Sequence, residues 1–181
     1  AKASIKRRIV HRLAKDGFEN ISAMQHRLLY DVSFFETLLL DLSINVTEMF
    51  RDPSFYLAIR QKVVPILKTF PFLKIWHAGC STGEEVYSMA ILLQEEGLYK
   101  RTQIYATDMN EVALKQAKNG IFAINRLKQY TVNYQKAGGH ESFSDYYAAH
   151  YDHAVMDKSL KENVIFSDHN LDTDVDYGQM N

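Results

Sequence analysis

The sequence predicts an α/β protein with a helical N-terminal part. Three observations carry this reading. Residues 1 to about 70 place apolar side chains at helical spacing with no strand alternation, whereas after Pro71 short strand-like runs alternate with helical ones. A glycine-bearing turn, Gly79 to Gly83, joins the first such run to its helix. Alternation of this kind favours a parallel sheet with crossover helices.

The first helix is expected from about Ser4 to Lys15, ended by the breaker pair Asp16-Gly17. The second is expected from about Ser22 to Leu42, because Leu28, Val32, Phe35, Leu39 and Leu42 recur three and four apart, on a face predicted to be core. The third opens at Asp52-Pro53, with Asp suited to the N-cap and Pro to the first helical position. Lys74 to Ala78 then reads as the first strand, about Glu84 to Glu96 as a helix, and Gln103 to Thr107 as the second strand. A helix over Asn110 to Asn119 should be capped by Asn110 and stopped by Gly120. The next forty residues are less regular, and Asn163 to Ser167 reads as a third strand before an acidic tail.

Composition narrows the class of function. The chain of 181 residues is 46% hydrophobic and 24% charged with a formal net charge of -1, which gives no global attraction to nucleic acid or anionic membrane. Lys2, Lys6, Arg7, Arg8, Arg12 and Lys15 form a basic start that reads either as a solvated helix face or as a contact for an acidic partner. Cys80 is the only cysteine, so no disulfide or multi-thiolate zinc site can form within one chain. No apolar run approaches the roughly 18 residues of a membrane span, and the first residues lack the short apolar core of a signal peptide. The expectation is a soluble cytoplasmic protein with no membrane insertion.

Residues 78 to 85, AGCSTGEE, join strand to helix. Small residues there admit a ligand close to the backbone, and free N–H groups at a helix start attract an anion. The second strand ends in Thr107-Asp108, where a nucleotide-binding α/β fold holds ribose hydroxyls with a carboxylate. The spacing does not match the dinucleotide fingerprint, which argues against a nicotinamide cofactor. Residues 79 to 83 also spell G-x-S-x-G, the elbow of serine hydrolases, with His140, His150, His153 and His169 downstream as possible partners. That elbow normally follows several strands, yet the preceding seventy residues read as helical. NVTEMFRDP, residues 45 to 53, is either a local turn or a place for Arg51 to meet a carboxylate.

NVTEMFRDP, IWHAGCSTGEE, YATDMN and the late HNL, in that order, resemble the chemotaxis receptor methyltransferase (CheR) family over nearly the whole chain. The resemblance implies a partial N-terminal helical domain at 1–44, a linker with the first cofactor motif at 45–71, and a partial doubly wound, Rossmann-like methyltransferase domain at 72–181. It implies S-adenosylmethionine as cofactor and S-adenosylhomocysteine as product. Carried over by position, Asn45, Thr47 and Arg51 fall in the first cofactor motif, with Arg51 on the methionyl carboxylate. Glu84 faces the amino group, Asp108 the ribose, and Asn170 and Leu171 lie along adenine and ribose. Ala78, Gly79 and Met109 complete the expected set. The implied partner is a methyl-accepting chemotaxis receptor, docked through its cytoplasmic helical bundle.

An insertion near 142–157, rich in Tyr146, Tyr147, His150, Tyr151 and His153, corresponds to a family segment that can bind a receptor tail, or else packs as a covering hairpin or helix. Metal binding by its histidines is a weaker alternative. The family continues past HNL into a fourth strand and an Arg-Asn pair. The chain is therefore expected to be a fragment, inactive alone and open to self-association through an exposed sheet edge. The resemblance further implies methyl transfer to glutamate side-chain carboxylates of the receptor, for which no catalytic acid, base or nucleophile is expected from the enzyme, because a glutamate carboxylate, which ordinarily titrates at about 4.3, is already ionised at neutral pH. A non-catalytic receptor-binding regulatory module is the remaining alternative beside the hydrolase.

Overall fold

The computed structural model describes residues 2–42 and 47–169. The chain divides into two units, residues 1–46 and 47–181.

Among the described residues the first unit holds three helices, α1 (Lys2–Lys15), α2 (Ile21–Tyr30) and α3 (Val32–Leu42). Helix α1 stops at Asp16-Gly17 as its breaker pair predicts, with Gly17 at φ 71 and the Phe18 N–H on the Leu13 carbonyl. The single helix expected from Ser22 to Leu42 is two. Asp31 leaves helical geometry at φ -124, and its carboxylate accepts from the Phe34 N–H at 3.0 Å and the Ser33 hydroxyl at 2.8 Å, capping α3. The break also redirects the apolar face. Met24, Phe34 and Leu38 are buried, whereas Val32 and Phe35, expected in the core, are 73% and 50% exposed, and Leu28, Leu39 and Leu42 are only half-buried.

Nor is the basic start wholly a solvated face. Arg12 is buried, pairing with Asp41 and with Asp16, and Arg8 donates to the Asp41 carbonyl at the end of α3 at 2.9 Å. The Asp41 carboxyl is held below its ordinary range chiefly by the Arg12 hydrogen bond.

In the second unit, Pro53 occupies the first turn of α4 (Pro53–Ala58), and Asp52 stands at the N-cap position without a side-chain capping bond. The helix widens into a π turn over Ile59–Val63 before α5 (Val64–Leu67), with the Val64 N–H reaching Ile59. Pro65 explains this: its ring clashes with the carbonyl four residues back and it has no N–H to donate. Next come β1 (Leu73–Ala78), α6 (Glu84–Glu95), β2 (Thr102–Asp108) and α7 (Glu111–Asn119). Asn110 caps α7 through the Ala113 N–H, and Gly120 ends it in the left-handed region.

The expected irregular stretch contains β3 (Ile121–Ala123), α8 (Leu127–Lys136), β4 (Tyr147–Ala149) and β5 (His153–Met156), followed by β6 (Val164–Asp168). Strands β1, β2 and β6 form a parallel sheet with β2 in the middle, Leu73 opposite Thr102 and Ile104 opposite Val164. Strands β3, β5 and β4 form a separate antiparallel sheet. Its first strand lies well before residue 142, and strands of three residues are too short to show alternation in sequence.

The core of this unit is aromatic. Phe50 is fully buried, edge-on to Tyr56 at 4.9 Å and Tyr134 at 5.4 Å, and Tyr134 packs on Phe143 at 5.3 Å. Near it Glu95, on α6, gathers the π turn, α8 and the segment between α8 and β4. Its carboxylate accepts from Arg60, Tyr134, the Tyr146 hydroxyl at 3.0 Å and the His140 N–H at 3.0 Å.

Candidate functional site

The site lies at the C-terminal ends of β1 and β2, where parallel α/β sheets bind ligands. The Gly79 and Cys80 N–H groups both donate to the Thr107 carbonyl at 2.8 Å, fastening the end of β1 across to β2. Asp108, the last residue of β2, fixes the turn from the other side. One carboxylate oxygen accepts from the Ser81 N–H at 2.7 Å and the other from the Asn110 N–H at 2.8 Å. Ser81 is thereby held at φ 52, an uncommon conformation for a residue with a side chain. Gly83 has φ 93, and a Cβ there would stand 2.8 Å from that of Ala117, so its lack of a side chain lets the start of α6 pack against the last turn of α7. A Cβ at Gly79 would meet nothing within 4 Å, which leaves the strand tip open to a ligand.

Glu84 opens α6 and is 1% exposed. Its Oε2 accepts from the Thr82 hydroxyl at 2.5 Å, while Oε1 faces the Tyr130 hydroxyl at 3.4 Å and Arg126 Nη1 at 3.6 Å. Burial pushes its carboxyl above the ordinary range, against the opposing hydrogen bonds. Next to it, Glu85 bonds His77 Nδ1 at 2.9 Å, while His77 Nε2 is buried with no hydrogen-bond partner among the described residues.

The 47–51 segment is pinned to α6. The Phe50 N–H donates to Ser88 Oγ at 2.9 Å, Ser88 in turn donates to the Glu84 carbonyl at 2.7 Å, and Asn133 donates to the Met49 carbonyl at 3.0 Å. This keeps Thr47 half-buried and Arg51 exposed. Asn45, Asn170 and Leu171 lie outside the described residues. His169 immediately precedes them, its ring 5.4 Å from that of Trp76 and its N–H 3.4 Å from the Asp108 carbonyl.

The structure therefore gathers Ala78, Gly79, Glu84, Asp108 and the half-exposed Met109 at one end of the sheet. Sequence reasoning missed Thr82, His77, Arg126 and Tyr130. The last two belong to the stretch read as irregular, and no local motif links them to Glu84.

The elbow reading fails on geometry. Ser81 Oγ is buried without a hydrogen-bond partner, so no base is attached to it. Burial first, and Asp108 second, push the Cys80 thiol up to about 12, which keeps it protonated and unreactive. Among the described residues no group of three or more His, Cys, Asp or Glu could hold a metal ion.

The family model for the CheR methyltransferase SAM-binding domain matches residues 45–180. The chain belongs to the CheR methyltransferase family. It is 55% identical over 172 residues to a Pseudomonas putida protein carrying the name methyltransferase Cher3, covering 95% of this chain and 63% of that one. Chemotaxis protein methyltransferases of Borreliella burgdorferi and Listeria innocua are 30% and 28% identical, over 70% and 69% of this chain and 49% and 48% of theirs. The chain thus spans about half to two thirds of the length of these relatives.

The cofactor of this CheR domain is S-adenosylmethionine. The strand-tip residues suit it. Each Asp108 oxygen accepts one backbone N–H and keeps a lone pair for a hydroxyl, Gly79 leaves the approach open, and Glu84 offers a buried negative charge toward a cation.

Proposed function

We propose that this chain supplies the cofactor-binding part of a protein-glutamate O-methyltransferase that esterifies glutamate side chains of chemotaxis receptors. The observation that carries the reading is the pairing of two carboxylates with different environments at the strand tips. Asp108 is half-buried and bonded through backbone N–H groups, suited to hydroxyls, while Glu84 is buried and short of cationic partners, suited to an ammonium. Asp108 would hold the ribose, Glu84 the methionyl amino group and Arg51 the methionyl carboxylate. Asn45 and Thr47 would serve the first motif, with Ala78, Gly79, Met109, Asn170 and Leu171 along the rest of the ligand.

When bound, the cofactor supplies an electrophilic methyl group on a sulfonium. The substrate carboxylate is ionised at neutral pH, so the chain needs to move no proton. Attack neutralises two opposite charges, and water stabilises the separated ions better than the less charged transition state. The task of the chain is therefore to exclude water and to align oxygen, carbon and sulfur. In this reading no residue acts as acid, base or covalent nucleophile. The partner is the cytoplasmic helical bundle of a methyl-accepting receptor, and the protein works in the cytoplasm. Among the described residues no helix is long and apolar enough to cross a membrane.

Calorimetric titration of S-adenosylhomocysteine tests the site. The chain should bind it, and Asp108→Ala should weaken binding by at least about tenfold, since a charged acceptor of hydrogen bonds is lost together with the anchor of the turn. An unchanged affinity in that variant would remove Asp108 from the site. Receptor binding by a folded chain with no cofactor affinity would favour the regulatory module instead.

A further inference from the structure

Glu84 has few partners for a charge so deeply buried. Arg126 Nη1 lies 3.6 Å from Oε1, beyond hydrogen-bond length, so the guanidinium stands beside the carboxylate without closing on it. The Arg126 side chain is 55% exposed, steadied by the Tyr130 hydroxyl and with the charge of Glu48 near by. A buried negative charge and a half-exposed positive one thus sit side by side at the start of α6.

We infer that Arg126 is a cofactor-binding residue that forms, with Glu84, a clamp for a zwitterionic amino-acid head group. The inference rests on the reading above, in which Glu84 takes the methionyl ammonium. Ammonium and carboxylate of an amino acid are separated by a single α-carbon. A head group seated by its ammonium on Glu84 therefore brings its carboxylate to the adjacent guanidinium, whose planar fork matches it. Arg126 ends the short turn between β3 and α8 and shares the Tyr130 hydroxyl of α8 with Glu84.

Two ligands separate this role from simple neutralisation of Glu84. S-adenosylhomocysteine carries the amino-acid head, and 5′-methylthioadenosine lacks it. Arg126→Gln should weaken the first about tenfold or more, the scale of one charge-assisted hydrogen bond, and change the second by less than about twofold. Arg126→Lys, which keeps the charge but not the fork, should recover part of the loss. Unchanged or tighter binding of S-adenosylhomocysteine by Arg126→Gln would show that the guanidinium only neutralises Glu84, and equal weakening of both ligands would also overturn the inference. If the wild-type chain binds neither ligand, the cofactor reading itself fails. If it binds both and Arg126→Gln alters neither, only the clamp fails.

Discussion

Replacing Glu95 with alanine should strongly destabilise the second unit. The Glu95 side chain is 2% exposed and Arg60 5%, and the two are paired, with Arg60 also reaching Glu96 at 3.1 Å and the Ala137 carbonyl at 3.1 Å. Truncation leaves a buried guanidinium with half of its ion pairing, and takes the acceptor from Tyr134, from Tyr146 and from the His140 N–H. Breaking a buried pair costs about 3–5 kcal/mol, a large part of the roughly 5–15 kcal/mol that holds a domain folded.

The assay is denaturant unfolding of wild type and variant with the slope compared. A loss below about 1 kcal/mol at unchanged slope is the worth of an exposed pair and would refute the argument. The pH dependence supplies a second check. Burial raises the Glu95 carboxyl, but hydrogen bonds from Tyr134 and the His140 N–H, with Arg60, outweigh it and leave the group below its ordinary range. A depressed folded pKa means stability that is present above the unfolded value, about 4.3, and is lost as pH falls through the folded one. The difference between wild type and Glu95→Gln should therefore shrink in acid below that value.

Two further outcomes follow from the site. Glu84 has a raised folded pKa, so its charge lowers stability as pH rises through the window above the ordinary glutamate value, and Glu84→Gln should melt at an equal or higher temperature at neutral pH while losing affinity for S-adenosylhomocysteine. A variant that is less stable at neutral pH would mean that the Thr82, Tyr130 and Arg126 contacts outweigh the burial. Gly83→Ala should destabilise by about 1–3 kcal/mol, because it meets both a positive φ and the Ala117 methyl at the α6–α7 contact, and thermal unfolding of the purified variant measures it.

Local chemistry made much of this protein legible in its sequence. The breaker Asp16-Gly17, the cap Asn110 and the stop Gly120 act within a few residues of themselves, so the ends of α1 and α7 were readable. The three parallel strands announce themselves by apolar runs bounded by turn residues, and the motif order identified the family before any geometry was known. Periodicity misled at Asp31, because the apolar spacing continues across a residue whose side chain bonds the backbone ahead of it and restarts the helix on another face. Of the two forms expected near 142–157 the hairpin is the one present, as β4 and β5, whereas β3 was hidden because it is too short to carry a period and pairs with a segment some thirty residues on. Sequence alone placed Glu84 at the start of a helix and Asp108 at the tip of the second strand. Only the tertiary structure decided what surrounds them, because Arg126 and Tyr130 reach Glu84 by packing across some forty residues of chain, and no local signal encodes a contact of that kind.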